Sequence, residues 1–421
     1  MYGGCWWGLA FVCRGGGAGW GVFFTNTVTV EGEILLGNAS DILRMAGGVV
    51  NGSILSRVGS SIEVSSDSRL NGAVASSLGA VPGDRSSVDI ALNFGNLTFT
   101  GDAALSVGHD PVNAALNNNV FFSQLSADLR TTQDGTGTVN YLFETDINQS
   151  VGTDSAGLKA LNFLSGESLL RTNGASYHVA NSTIGSGAKL TLIPDAGTTF
   201  AGAGFAGKTG NRLSGDLTVN GTLDLGRGTL SLSSGPAGST GSVSVVAGGT
   251  LATTITADGP NDSRAGQTGA TVTGSEMLGQ IINDGTVSIA SGARVIPTIA
   301  AGVTVSDGAR YNFITSGGED GGPAASVGTG ILVSSAGDVD FGLFRGDSIL
   351  INGLASDVYL VANPGAAAGT VLENLAVGVA AGDIVDRLVE FASPTGQAEG
   401  QTRFAELLSL PTASEIGVAL T

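Results

Sequence analysis

From Val28 onward apolar and polar residues alternate with a period of two, but only for about three to five residues at a time. Val28-Thr-Val30, Ile34-Leu-Leu36, Ile54-Leu55 and Ile62-Glu-Val64 open the series, and Gly32, Gly37, Asn51-Gly52, Gly59 and Asn71-Gly72 punctuate it. The rhythm is most regular between Leu213 and Ile314. There Leu217-Thr-Val219, Leu223-Asp-Leu225, Leu230-Ser-Leu232, Val243-Ser-Val245, Val287-Ser-Ile289 and Val303-Thr-Val305 repeat one short phrase between Gly-containing turns. Each piece reads as a strand too short to bury a face alone. Stacked in parallel on copies of itself, it shares a core with the pieces above and below. Three pieces make a coil of roughly 20 residues, and about 16 coils at ~4.8 Å each predict a rod on the order of 80 Å long. The Asn-Gly and Asp-Gly steps equally suit antiparallel hairpins. An unbroken rhythm over roughly 300 residues favours the stack over a sandwich.

The middle of the chain, residues 78–210, is less regular, and Asp110–Asn119 and Ser150–Lys159 read as loops leaving the stack, where such scaffolds carry specificity. After Ala362 the pattern changes period. Leu375, Val379, Ile384, Leu388 and Phe391 fall near helical spacing, and after a break at Ser393-Pro-Thr-Gly396 a second helical run holds Phe404, Leu407, Leu408 and Leu410. The predicted organisation is an atypical segment over 1–24, a β stack over 25–361 and an Ala-rich linker with helical runs over 362–421.

Composition agrees with many short strands. Glycine accounts for 68 of 421 residues, apolar types for 42%, charged types for only 13%, and there are just 10 prolines. No Gly-X-Y period exists, which excludes collagen. The formal net charge is −18 with three lysines, Lys159, Lys189 and Lys208, so a phosphate backbone or anionic lipid would be repelled and nucleic-acid binding is not expected. The two cysteines, Cys5 and Cys13, admit either a mutual disulfide after export or two incidental thiols. The first 24 residues, with Trp6, Trp7, Trp20, Phe23 and Phe24, lack the basic start of a signal peptide and read as a fragment edge or an aromatic end cap.

Three stretches resemble the passenger domains of bacterial autotransporters, the type V secretion family. Leu217-Thr-Val-Asn-Gly-Thr-Leu-Asp-Leu225 looks like the repeated coil. Val303–Ile314, Ile331-Leu-Val333, Val339-Asp-Phe341 and Asp357-Val-Tyr-Leu-Val361 look like the last coils and cap, within residues 302–361. Leu407-Leu-Ser-Leu-Pro-Thr-Ala-Ser-Glu-Ile416 is similar to the helical segment that leads into the translocator barrel. The resemblance covers roughly residues 130–421. It implies an all-β, right-handed parallel β-helix with a short helical C-terminal segment, at the surface of a Gram-negative bacterium or secreted from it. The implied role is non-catalytic adhesion to a protein or glycan ligand on host or neighbouring cells, without cofactor, with an outer-membrane translocator barrel expected beyond Thr421. The absence of a signal peptide and the end at Thr421 make the expected chain a fragment or half of a split gene.

Candidate chemistry is sparse. Arg345-Gly346-Asp347 is a candidate adhesion triplet, and a plain turn between Phe341–Phe344 and Ile349–Ile351 accounts for the same residues. Gly346-Asp-Ser-Ile349 resembles the nucleophile block of GDSL esterases, but that family places its histidine after the serine, whereas His109 and His178 both precede it. Neither histidine has neighbours in sequence that would complete a zinc site. Asp258-Gly-Pro-Asn-Asp262, Glu319-Asp320 and Asp338-Val-Asp340 are isolated acidic turns without calcium-loop spacing. A β-helical polysaccharide lyase or hydrolase is the enzymatic alternative, and it needs clustered acids that this chain scatters one per turn. A structural surface-layer or filament protein is the third.

Overall fold

The computed structural model describes residues 5–6, 10–13, 23–36, 41–52, 54–56, 60–72, 74–76, 96–108, 125, 127–147, 149–171, 176–193, 210–258, 278–306, 309–316, 325–328, 330–345 and 357–363. The fold is all-β, 65% strand and about 1% helix, with large, mainly parallel sheets. Two compact units are present: residues 1–191 with 212–216 and 234–239, and residues 192–211, 217–233 and 240–421.

In the first unit, strands pair in parallel with the strand that occupies the same place in the next repeat. Thr29–Glu31, Val49–Asn51, Ser68–Asn71, Ala104–Gly108, Thr136–Tyr141 and Leu158–Leu170 form one such ladder. Phe23–Asn26, Ile42–Ala46, Ser61–Ser66, Asn96–Phe99 and Asp128–Thr131 form a second. Ala10–Cys13, Glu33–Leu36, Ile54–Ser56 and Val74–Ser76 form a third, with Cys5–Trp6 antiparallel at its start.

The repeat is 20 residues at the outset, as between Glu31 and Asn51 and between Asn51 and Asn71. It stretches to 37 between Leu70 and Val107. Alternation explains the core. Residues at even steps point inward, so Val30, Val50, Leu70, Val107, Tyr141 and Phe163 stand one above another with at most 3% exposure. Leu43, Ile62, Leu97, Leu129 and Val151 form a parallel row, all at 0%. Each such side chain contributes about 1.5–3 kcal/mol on leaving water.

The second unit obeys a stricter rule: every third strand pairs. Thr222–Asp224 pairs with Thr250–Ile255, which pairs with Arg294–Ile299 and then Leu332–Val333. Leu217–Val219 pairs with Val243–Val245, then Val287–Ile289 and Ser326–Val327. Thr229–Ser233 pairs with Gln280–Asn283, then Arg310–Ser316. Three sequence triplets thus sit in register, Val219 on Val245 on Ile289, and Leu223 of a fourth stacks on Leu251 and Val295.

One triplet departs from expectation. Val303-Thr-Val305 is not a strand: Gly302 takes φ +81°, Val303 N–H closes a turn on Ala300 C=O, and Ser306 is held by the Asp258 carboxylate. The turn before the triplet and the Asp258 contact after it take the place of strand pairing there.

The parallel order ends in an antiparallel closure. Asp357–Ala362 lies between Arg310–Ser316 and Phe341–Arg345 and runs opposite to both. Leu360 faces Tyr311 and Val358 faces Ile314 across the inner side, all at 1% exposure or less. The helical runs predicted after Ala362, with Leu375–Phe391 and Phe404–Leu410, lie outside the described residues.

Candidate functional site

In the first unit, the turn 152–157 and Ser214 meet at His178. Tyr177 and His178 belong to the long strand Ser176–Leu192, so Tyr177 points into the core, fully buried, and His178 points out. The Tyr177 hydroxyl donates to Arg171 C=O at 2.6 Å. Ser214 is 8% exposed and its hydroxyl donates to Tyr177 C=O at 3.0 Å. The same oxygen stands 3.3 Å from His178 Nδ1, and Asp154 Oδ1 stands 3.2 Å from that nitrogen.

Serine, histidine and aspartate are therefore brought together, which no spacing in the chain reveals: Ser214 and His178 lie 36 residues apart, on different repeats. The proton inventory decides what the cluster can do. With the Ser214 proton committed to Tyr177 C=O, His178 Nδ1 must carry its own hydrogen to approach Ser214 Oγ and Asp154 Oδ1. A nucleophile relay needs the ring to accept the serine proton on one nitrogen while the acid orients the other. Here both partners compete for one donor. The arrangement braces the turn 152–157 against the strand.

Beside it, the exposed carboxylate of Asp134 accepts from Gly157 N–H at 2.9 Å and Ala237 N–H at 3.1 Å. The bonds from Ala237, Gly157 and Gly135 hold its carboxyl below the ordinary aspartate value. Pro236 is buried against Gly157, and Ala237 takes φ +52° in the short 3-10 turn Pro236–Gly238.

Outward positions form ordered polar rows instead. Arg44 Nε and Nη2 both donate to Glu63 Oε2, at 2.9 and 2.7 Å, and the guanidinium lies 4.6 Å from the centre of the half-exposed Phe23 ring. The Asn51 side-chain amide donates to Glu31 and the Asn71 amide to Asn51, each at 2.7 Å. Asn162 donates to Asn140 at 2.8 Å, and Thr254 meets Thr298 at 3.1 Å in the second unit.

Among the sequence candidates, Arg345 ends the strand Phe341–Arg345 and its Nη1 donates to Ala325 C=O at 3.4 Å. Gly346 and Asp347, like His109, Glu319 and Asp320, lie outside the described residues, so the triplet is not seen assembled. Among the described residues no group of three or more His, Cys, Asp or Glu side chains is placed to hold a metal ion. No helix of the described residues is long and apolar enough to cross a membrane. No protein-family model matches the chain, and no curated protein matches it either.

Proposed function

We propose that the chain is a right-handed parallel β-helix serving as a non-catalytic, surface-displayed passenger of the autotransporter kind, adhering to host or neighbouring cells. One observation supports this above the rest: equivalent residues of successive repeats stand in parallel register, with apolar rows inside and ordered rows of Asn, Thr, Arg and Glu outside. Such a scaffold devotes its chain to repeated outer surface instead of a single enclosed cleft. The crossover rule for parallel strands favours the right-handed sense. The antiparallel strand Asp357–Ala362 agrees with an end cap, since it covers an edge that further copies would otherwise join. Residues 362–421 would then be the linker toward an outer-membrane barrel.

The test is retention of cells on immobilised purified chain. Deleting residues 110–119 should lower retention while the β circular-dichroism signal persists, and Asp347→Glu reports separately on the Arg345 triplet. Equal retention by the chain and by an unrelated acidic protein would end the adhesion reading. Turnover of an acidic polysaccharide would replace it with the enzymatic one.

A further inference from the structure

On the closing sheet, the face turned away from the core carries polar groups only part of whose needs are met. Thr315 stands opposite Asp357, Asn312 opposite Tyr359, and Arg310 opposite Val361. Asp357 is 6% exposed, and its Oδ2 accepts from the Tyr359 hydroxyl at 3.2 Å. Its Oδ1 is buried without a hydrogen-bond partner, and so is Oδ1 of Asn312. Two buried acceptor oxygens on one face, neither with a hydrogen-bond partner, make a costly arrangement. Buried acceptors are filled in most folds. A proton on the Asp357 carboxyl turns one of the two into a donor and removes a buried charge at once.

We infer that Asp357 is a proton switch in the closing strand: protonation fastens Asp357–Ala362 to Arg310–Ser316, and ionisation loosens it. The charged and titratable neighbours are few. Tyr359 shares the strand, Arg310 belongs to the strand on one side, and Arg345 to the strand on the other, where it donates to Ala325 C=O. Asp340, just ahead of that strand, is engaged by Ser335 and by its own N–H on Asn363. Burial lifts the Asp357 carboxyl to about 6, against the pull of the Tyr359 and Thr315 hydroxyls. A carboxyl raised on folding binds its proton more tightly in the folded strand. The closure is therefore strongest in acid and weakens as pH rises from the unfolded value through the folded one.

Amide hydrogen exchange of the full chain, corrected for intrinsic rates, tests this on the peptide spanning 357–362. Protection should be roughly tenfold higher at about pH 5 than at about pH 8, given the lift from 3.8 to about 6. Asp357→Asn should be protected at both pH values with no dependence between them. Tyr359→Phe, which removes only the donor to Oδ2, should keep the dependence and move its midpoint to higher pH. Equal protection of the natural chain at both pH values, or a pH dependence that survives Asp357→Asn, overturns the switch. Should Asp357→Asn fail to fold, an unmoved midpoint in Tyr359→Phe overturns it as well.

Discussion

Asp134 Oδ2 accepts a hydrogen bond from the backbone N–H of Ala237, 103 residues further along the chain, while its Oδ1 holds the N–H of Gly157. One carboxylate thus ties two later turns to an earlier one. Asp134→Ala should cost about 1 kcal/mol, as loss of an aspartate cap does. Asp134→Asn, which keeps one acceptor oxygen, should cost less. Because the folded carboxyl lies below its unfolded value near 3.8, the contribution is present above that pH and lost as pH falls through the folded value. Urea unfolding followed by circular dichroism at neutral and strongly acidic pH measures both. A variant as stable as the natural chain at neutral pH would show that the turns hold without the carboxylate.

Local crowding makes two glycines behave differently. A Cβ at Gly157 would run into Pro236 and meet His178 C=O at 3.0 Å, whereas one at Gly248 would find nothing within 4 Å. Gly248 carries only the backbone demand of φ +83°. Gly157→Ala should therefore cost about 1–3 kcal/mol through overpacking. Gly248→Ala should cost about 1 kcal/mol, the price of the left-handed conformation for a residue with a Cβ. Thermal unfolding of the two variants side by side would refute the steric account if their order were reversed.

Within the core, chemistry and volume separate cleanly in one strand. Leu161 and Ser168 both point inward from Leu158–Leu170, at 1% and 0% exposure. The Ser168 hydroxyl has no hydrogen-bond partner, so its burial brings desolvation without return. Ser168→Ala should leave stability unchanged or slightly raised, and Leu161→Ala should lower it by about 2–5 kcal/mol. Chemical denaturation decides, and a marked loss in Ser168→Ala would mean that the hydroxyl is satisfied in solution.

What the sequence disclosed and what it hid follow from the range of the forces involved. Strand positions such as Leu217, Val243 and Val287 were legible because period-two alternation is a local consequence of the pleat, and their stacking follows from having no other way to bury one face. Val303-Thr-Val305 carried the same alternation yet became a turn, because Asp258, 48 residues away from Ser306, supplies the bonds that hold it. Asp134 with Ala237, and Asp154 with His178 and Ser214, were invisible for the same reason. Their meeting depends on how many residues each repeat inserts, and the spacing between paired parallel strands runs from 19 to 51 residues. The reversed strand Asp357–Ala362 read as one more strand; nothing in its own alternation marks its direction.

His178 offers the last discrimination, because proximity and reactivity make opposite forecasts. If closeness sufficed, Ser214 would be a nucleophile; the proton inventory says that its hydrogen is spent on Tyr177 C=O and that His178 Nδ1 donates toward it. A fluorophosphonate probe should leave Ser214 unlabelled. His178→Ala should cost about 1 kcal/mol, the scale of a hydrogen-bonded brace. Asp154→Ala should change stability by less than about 0.5 kcal/mol, since that side chain is 95% exposed and its pairing is screened by water. Labelling of Ser214 that disappears in His178→Ala would mean the ring does accept the serine proton, and the brace would have to be redrawn as a catalytic pair.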